Sequence, residues 1–258
     1  MLTWGHPRRA AKTGNGILFS EGEDGFYGGT YGRSNAPVSK KLQAELPECR
    51  IVSAPVTRSR PVSEPRISEC LNSLRRGEYS WVVITSARTV KYLQQLLAVE
   101  PPIKTFPQVA TVGKASALAA SKAGWNVTLQ AGGNATDLAR CFANLTPSPS
   151  RPSRVFLPGS ALSKPNLAAA LSDLGYQVDS CALYTMTPVS TCPEEYFRAD
   201  AVAVTSGSNL RALADFGIFS SCSPPSARAL PRLICIGEPS AQVAAQLGLK
   251  SCGSSENP

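Results

Sequence analysis

The sequence predicts an α/β protein made of two similar lobes, each a parallel sheet covered by helices. Two observations carry that prediction. Short apolar runs alternate with helix-spaced segments along most of the chain, the pattern of strands joined by helical crossovers. The pattern also repeats itself: "WVVITSARTVKYL" at 81–93 returns as "DAVAVTSGSNLRAL" at 200–213, each an apolar run, then Thr-Ser, then helical spacing.

Taken in order, the opening residues stand outside this pattern. "TGNGILFSEGEDGFYGGTYGRSN" is rich in glycine and only "ILF" at 17–19 looks like strand. Its glycines fit neither G-x-x-x-x-G-K-[ST] nor a strand-to-helix turn, so a loop is expected rather than a phosphate cradle. Then "VSKKLQAEL" reads as a short helix, "RIVSAPV" as a strand, "ISECLNSLRRG" as a helix and "SWVVITS" as a strand. The next helix places Val90, Leu93 and Leu97 at helical spacing. "QVATVG" is a strand, and "ASALAASKAG" a helix ended by Gly124. "WNVTLQ" and "ATDLARCFANL" give strand and helix, and "TPSPSRPS" at 146–153 gives a linker or exposed loop. "RVFLPG", "NLAAALSDLG" and "YQVDSCALY" follow as strand, helix, strand; "ADAVAVTS", "SNLRALADFG", "RLICIG" and "PSAQVAAQLG" close the chain in alternation.

The repetition goes further than one phrase. Thr85 and Thr205 are 120 residues apart, Gly113 and Gly237 are 124 apart, and "LPECRIVSAPVTRSRP" resembles "LGYQVDSCALYTMTP" at an offset of 128. Three matches in one order at nearly constant offset argue an internal duplication over chance α/β patterning.

Composition removes several kinds of chemistry. His6 is the sole histidine, so neither a Ser-His-Asp triad nor the usual zinc spacings can be built. The eight cysteines (Cys49, Cys70, Cys141, Cys181, Cys192, Cys222, Cys235, Cys252) form no C-x-x-C pair and are expected to be reduced structural thiols. A net charge of +8, spread without any run of five like charges, favours an anionic small ligand over nucleic acid. No apolar stretch approaches the roughly 18 residues that would span a bilayer. The start "MLTWGHPRRAAK" carries no apolar signal region, so no membrane and a cytoplasmic location are expected.

In an open parallel sheet, ligands bind beyond the carboxyl ends of the strands. Thr85-Ser86, Gly113, Thr205-Ser206 and Gly237 all fall there, each before a helix start. Unpaired N–H groups and the positive end of the helix dipole make such places carboxylate or phosphate sites, and glycine lets a ligand approach the backbone. Ser86, Ser116, Ser206 and Ser240 are expected as N-caps, with Pro239 in a first turn. Any one serine is adequately explained as a cap. Four such helix starts, two per lobe, point to a cleft between lobes lined with anion-holding amides. Glu194-Glu195 are adjacent and expected to be solvated.

These residues resemble the uroporphyrinogen-III synthase family. Its halves carry a strand ending in Thr-Ser, a strand leading into Gly-x-x-Thr-Ala, and an "L-x-x-x-L-x-x-x-G-x-x-V…Y" segment. Here they read "VITSARTV" and "AVTSGSNL", "VGKASA" and "IGEPSA", and "LAAALSDLGYQVDSCALY". The resemblance covers roughly residues 40 to 250. It implies two α/β lobes of flavodoxin-like grammar joined by two crossing strands, with residues 1–54 plus 185–258 as one discontinuous lobe and 55–184 as the other. It implies a cofactor-free lyase of tetrapyrrole (heme, porphyrin) synthesis. Its substrate is hydroxymethylbilane, a linear tetrapyrrole polyanion with eight carboxylates, which loses its terminal hydroxyl, inverts the last pyrrole ring and closes. It also implies a monomer whose candidate protein partner is the enzyme of the preceding step.

Carried over by position, Tyr184 matches the family's tyrosine on the return crossing, with Val56 at the corresponding place in the first half. A phenol is protonated at neutral pH and can donate a hydrogen bond to the departing hydroxyl. Thr85, Ser86, Thr205, Ser206 and Ser208 match the strand-end motif, and Gly113, Ser116, Gly237 and Ser240 the second motif with serine for threonine. Three departures stand out. "ILFSEGEDG" replaces a strand ending in Thr-Arg-Pro, leaving Arg33 as the nearby arginine; Pro158 replaces the arginine of an L-R-G turn; and "LKSCGSSENP" replaces a last helix. A two-lobed small-anion binding protein and an inactive family member stay open beside the enzyme. A two-lobed glycosyltransferase would need an acidic ribose contact and usually a longer chain.

Overall fold

Strand-forming apolar runs and capped helices alternate through the computed structural model, which describes residues 16–23, 43–98, 103, 105–145, 153–220 and 230–255. His6, Arg33, Cys222, residues 38–42 and most of the 146–153 linker lie outside them. The chain divides into two units, Met1–Ser59 with Met186–Pro258, and Arg60–Thr185.

The unit of residues 60–185 holds helix α1 (Pro65–Arg75), strand β3 (Trp81–Ile84), α2 (Ala87–Leu97), β4 (Gln108–Val112), α3 (Gly113–Lys122), β5 (Val127–Ala131), α4 (Ala135–Ala143), β6 (Arg154–Ser160), α5 (Asn166–Asp173) and most of β7 (Gln177–Pro188). Its strands run in the order β7-β6-β3-β4-β5, all neighbours parallel. A strand such as Val82-Val83-Ile84, fully buried on both faces, is the continuous apolar run that a covered parallel sheet requires. On one face Val83, Ala110 and Val155 pack against Leu138, Phe142, Leu167, Leu171 and Tyr176. Asn134 caps α4 by accepting the Asp137 N–H at 2.8 Å, with Asp137 itself favourably placed in the first turn.

The other unit holds β1 (Gly16–Glu23), the larger part of β2 (Arg50–Pro61), β8 (Ala201–Val204), α6 (Gly207–Asp215), β9 (Arg232–Ile236), α7 (Glu238–Gln246) and β10 (Ser251–Ser255). Its order is β2-β1-β8-β9-β10, again parallel. This is the same strand order as in the first unit, position for position. Val56, Val202, Val204, Leu210, Leu213, Leu233 and Cys235 form its core. A 3₁₀ turn, Glu194–Arg198, adds Tyr196, fully buried, whose phenol donates to the Ala54 carbonyl at 2.5 Å.

Two features differ from the sequence expectation. The segment "LKSCGSSENP", which stands in place of a last helix, contains β10, a fifth strand beside β9; "SCGSS" is too polar and glycine-rich to announce a strand. The strand glimpsed as "ILF" extends over Gly16–Glu23 because both of its edges are paired, to β2 and to β8.

At the amino ends of β6 and β7 a charged cluster ties the 60–185 unit together. Asp179 accepts from Arg154 Nε at 2.7 Å, Arg66 Nη2 at 3.1 Å and the Tyr79 phenol at 3.1 Å. Arg154 also pairs with Glu78 and lies 5.0 Å from the Tyr79 ring centre. The Arg76 guanidinium beside Glu78 holds its carboxyl down to about 2. No helix among the described residues is long and apolar enough to cross a membrane.

Candidate functional site

The repeated Thr-Ser phrase has one local explanation in both units. The threonine follows the last residue of the strand, and the serine takes the extended backbone of an N-cap. Ser86 (φ −150°, ψ 143°) accepts the Arg88 N–H at 3.2 Å, and Ser206 (φ −152°, ψ 151°) accepts the Asn209 N–H at 3.3 Å. Ser208 lies 3.1 Å from Ser206, hydroxyl to hydroxyl. Thr85, Thr205, Ser206 and Ser208 are half-buried at the carboxyl ends of β3 and β8.

The glycine motif works differently. Gly113 (φ +78°) opens α3 after β4, and Gly237 (φ +87°) opens α7 after β9. Only glycine adopts such a φ without strain. Neither helix has a side-chain cap, so their first-turn N–H groups carry no such partner. Ser116 and Ser240 were expected to supply those caps and do not. Ser116 is the fourth residue of α3 and buried; Ser240 is the third of α7, 1% exposed, and its hydroxyl faces the Ile236 and Gly237 carbonyls at 2.9 and 2.8 Å. α3 begins at Gly113 and α7 directly after Gly237, in each case three residues from glycine to serine, so both serines lie inside the first turn, and Ser240 folds its hydroxyl back on the strand end. Pro239 occupies the first turn of α7.

Tyr184 stands on β7, 4% exposed, and the strand is irregular just there. β7 pairs with β6 as Gly159↔Ala182 and then Ser160↔Tyr184, so Leu183 is an extra residue. Such a bulge re-aims the side chain that follows it, which is why Leu183 and Tyr184 are both buried in succession. The Tyr184 ring stacks on Tyr92 of α2, centroids 4.9 Å apart and planes at 12°. Its phenol makes no hydrogen bond with any described residue.

The outgoing crossing strand repeats the irregularity. β2 pairs with β1 as Glu21↔Pro55 and then Gly22↔Thr57, leaving Val56 as the extra residue. The two extra residues play the same part: Val189 N–H donates to the Val56 carbonyl in one unit, and Val62 N–H to the Leu183 carbonyl in the other, both at 3.0 Å. The counterpart of Val56 is therefore Leu183, and the counterpart of Tyr184 is Thr57, one residue beyond the position that sequence offset alone selects. Thr57 is 1% exposed and donates to Asn209 Oδ1 of α6 at 2.7 Å. Sequence reasoning passed over Tyr92, Thr57 and Asn209. Tyr92 lies beside the apolar stripe of its helix, and a lone buried threonine in a strand gives no signal.

Among the described residues, no group of three His, Cys, Asp or Glu side chains could hold a metal ion. The described cysteines are free thiols, of which Cys70, Cys181, Cys192 and Cys235 are buried and Cys252 is exposed.

Comparison with known proteins places this arrangement. A crystal structure of a mutant uroporphyrinogen III synthase from the extreme thermophile Thermus thermophilus matches with TM-score 0.56 at 16% identity, covering 94% of this chain and 92% of that one. A uroporphyrinogen-III synthetase from Helicobacter pylori matches with TM-score 0.57 at 11% identity, covering 95% and 93%. At such identities these likenesses show the fold. No curated protein matches the sequence. The family model described as uroporphyrinogen-III synthase HemD matches residues 43–258, the span that holds β2 to β10 with Tyr184 and every strand-end residue above; the chain belongs to the uroporphyrinogen-III synthase family, enzymes of tetrapyrrole synthesis.

Proposed function

We propose that this chain runs the family reaction, closure of hydroxymethylbilane to uroporphyrinogen III, at the carboxyl ends of its parallel strands, with Tyr184 as the proton donor. The observation that carries this reading is the phenol of Tyr184. A bulge and a ring stack fix its side chain, yet its hydroxyl is left uncommitted among the described residues.

The chemistry asks for little more. The terminal C–O bond breaks as the pyrrole nitrogen's electron pair feeds into the ring, and the phenol proton supports the departing oxygen, which leaves as water. The substrate's own nitrogen carries the developing positive charge. What the protein must supply is position, since the same chain in water closes without inverting its last ring. In this reading the open first turns behind Gly113 and Gly237 take substrate carboxylates. The hydroxyls of Thr85, Ser86, Thr205, Ser206 and Ser208 donate to others, and Ser116 and Ser240 shape the strand ends from within. The reading further holds that the protein works as a single copy in the cytoplasm, and that it receives its unstable substrate from the enzyme of the preceding step.

Carboxylate recognition is tested by fluorescence titration with uroporphyrin, which has eight carboxylates, and with its octamethyl ester. The acid is expected to bind, more weakly as salt rises, and the ester at least about tenfold more weakly. Equal affinity for the two would contradict an anion-holding site.

A further inference from the structure

We infer that Tyr92 is a positioning residue: it sets the orientation of Tyr184, and through α2 it ties that orientation to the strand-end site at Thr85-Ser86. The inference rests on the reading of Tyr184 as proton donor and names what holds it in place.

The first observation is the contact itself. Tyr92 and Tyr184 are 5% and 4% exposed and nearly parallel, 12° apart at 4.9 Å. An aliphatic neighbour fills space but leaves a tyrosine free to tilt; an offset-parallel ring favours one plane. The bulge at Leu183 turns Tyr184 toward the core, and the stack then fixes where its hydroxyl stands.

The second observation is the position of Tyr92 on its helix. α2 starts from the Ser86 cap, directly after Thr85. Six residues separate Ser86 from Tyr92, about 9 Å along a rigid helix. A substrate group held at the amino end of α2 is therefore at a set distance from the Tyr184 hydroxyl.

The third observation comes from the other unit, where the same construction uses different chemistry. Thr57 follows the bulge on β2 as Tyr184 does on β7, and it too is held by the helix after the Thr-Ser phrase, through its 2.7 Å bond to Asn209. In both units this helix holds the side chain that the bulge re-aims. Only the 60–185 unit places a phenol there, so only there does the construction position a proton donor.

The test compares Tyr92→Phe, Tyr92→Leu, Tyr184→Phe and the double variant Tyr92→Leu/Tyr184→Phe in the full chain, with freshly generated hydroxymethylbilane. Tyr92→Phe keeps the ring and is expected to retain kcat within about twofold, whereas Tyr92→Leu loses about tenfold in kcat with KM little changed. Because Tyr92 acts through Tyr184, the double variant is expected to be no slower than Tyr184→Phe alone. Thermal unfolding checks that the Leu variant is folded; if it is not, Tyr92→Met fills the volume without a ring. Wild-type kcat in the ringless variant, an equal loss in Tyr92→Phe, or multiplied losses in the double variant would each overturn the inference while leaving Tyr184 in its role. Full turnover in Tyr184→Phe would instead remove the reading on which it rests.

Discussion

Tyr184→Phe is expected to lower kcat by about 100-fold with KM within about twofold of wild type, the size and signature of losing a proton donor used only in the transition state. The substitution removes one oxygen. The ring, its stack on Tyr92 and the β7 backbone all remain, and the phenol makes no hydrogen bond with the described residues that the fold would miss. Unfolding free energy should therefore stay within about 0.5 kcal/mol of wild type. Ser240→Ala makes the contrast. Its hydroxyl is turned onto the Ile236 and Gly237 carbonyls, so its loss should cost about 1 kcal/mol of stability and little turnover. A Tyr184→Phe enzyme as fast as wild type would end the proposed role of the phenol; one that is slow only through a raised KM would make it a binding group.

Asp179→Ala is expected to reverse this pattern, with a large loss of stability and turnover preserved at low temperature. The carboxylate is 14% exposed and accepts from Arg154, Arg66 and the buried Tyr79 phenol. Truncation takes from the Arg154 guanidinium, 27% exposed, one of its two carboxylate partners and leaves it Glu78, and it removes the Asp179 acceptor of the Tyr79 hydroxyl. Losing one charge-assisted bond and the partner of a buried donor costs about 2 kcal/mol together, readable as a shift in urea midpoint. Asp179 faces Phe156 near the amino end of β7, whereas Tyr184 lies past the bulge toward its carboxyl end. One strand thus carries the stability cluster at one end and the proposed chemistry at the other. If Asp179→Ala unfolds at the wild-type urea concentration, the cluster is solvated decoration and the argument from its burial is wrong.

The alternation of strand and helix was legible because it is physically simple: buried parallel strands such as Trp81–Ile84 and Ala201–Val204 must be continuous apolar runs, and Ser86, Asn134 and Ser206 mark where three of the helices start. The Thr-Ser phrase and the Gly-x-x-Ser-Ala phrase could be located for the same reason. What the glycine motif's serine does was not legible. Whether a serine caps a helix or lies inside it depends on where the backbone turns, and a positive φ at Gly113 and Gly237 moved that turn three residues upstream. The polar strand β10 was missed because pairing with β9, not its own composition, makes it a strand. Tyr92 was invisible for a different reason: stacking against Tyr184 joins residues 92 positions apart, and no local pattern encodes it. The bulges likewise arise from register between strands distant in sequence, so offset alone matched Tyr184 to Val56 where the backbone matches it to Thr57.

The central claim is that this chain directs the inverting closure. Its most direct test separates the isomers formed when the purified protein is given freshly generated hydroxymethylbilane and the products are oxidised. The account predicts a large excess of the type III isomer over type I, formed faster than closure in a protein-free control. Type I alone, at the rate of that control, would contradict it and leave a protein that has the fold without the reaction.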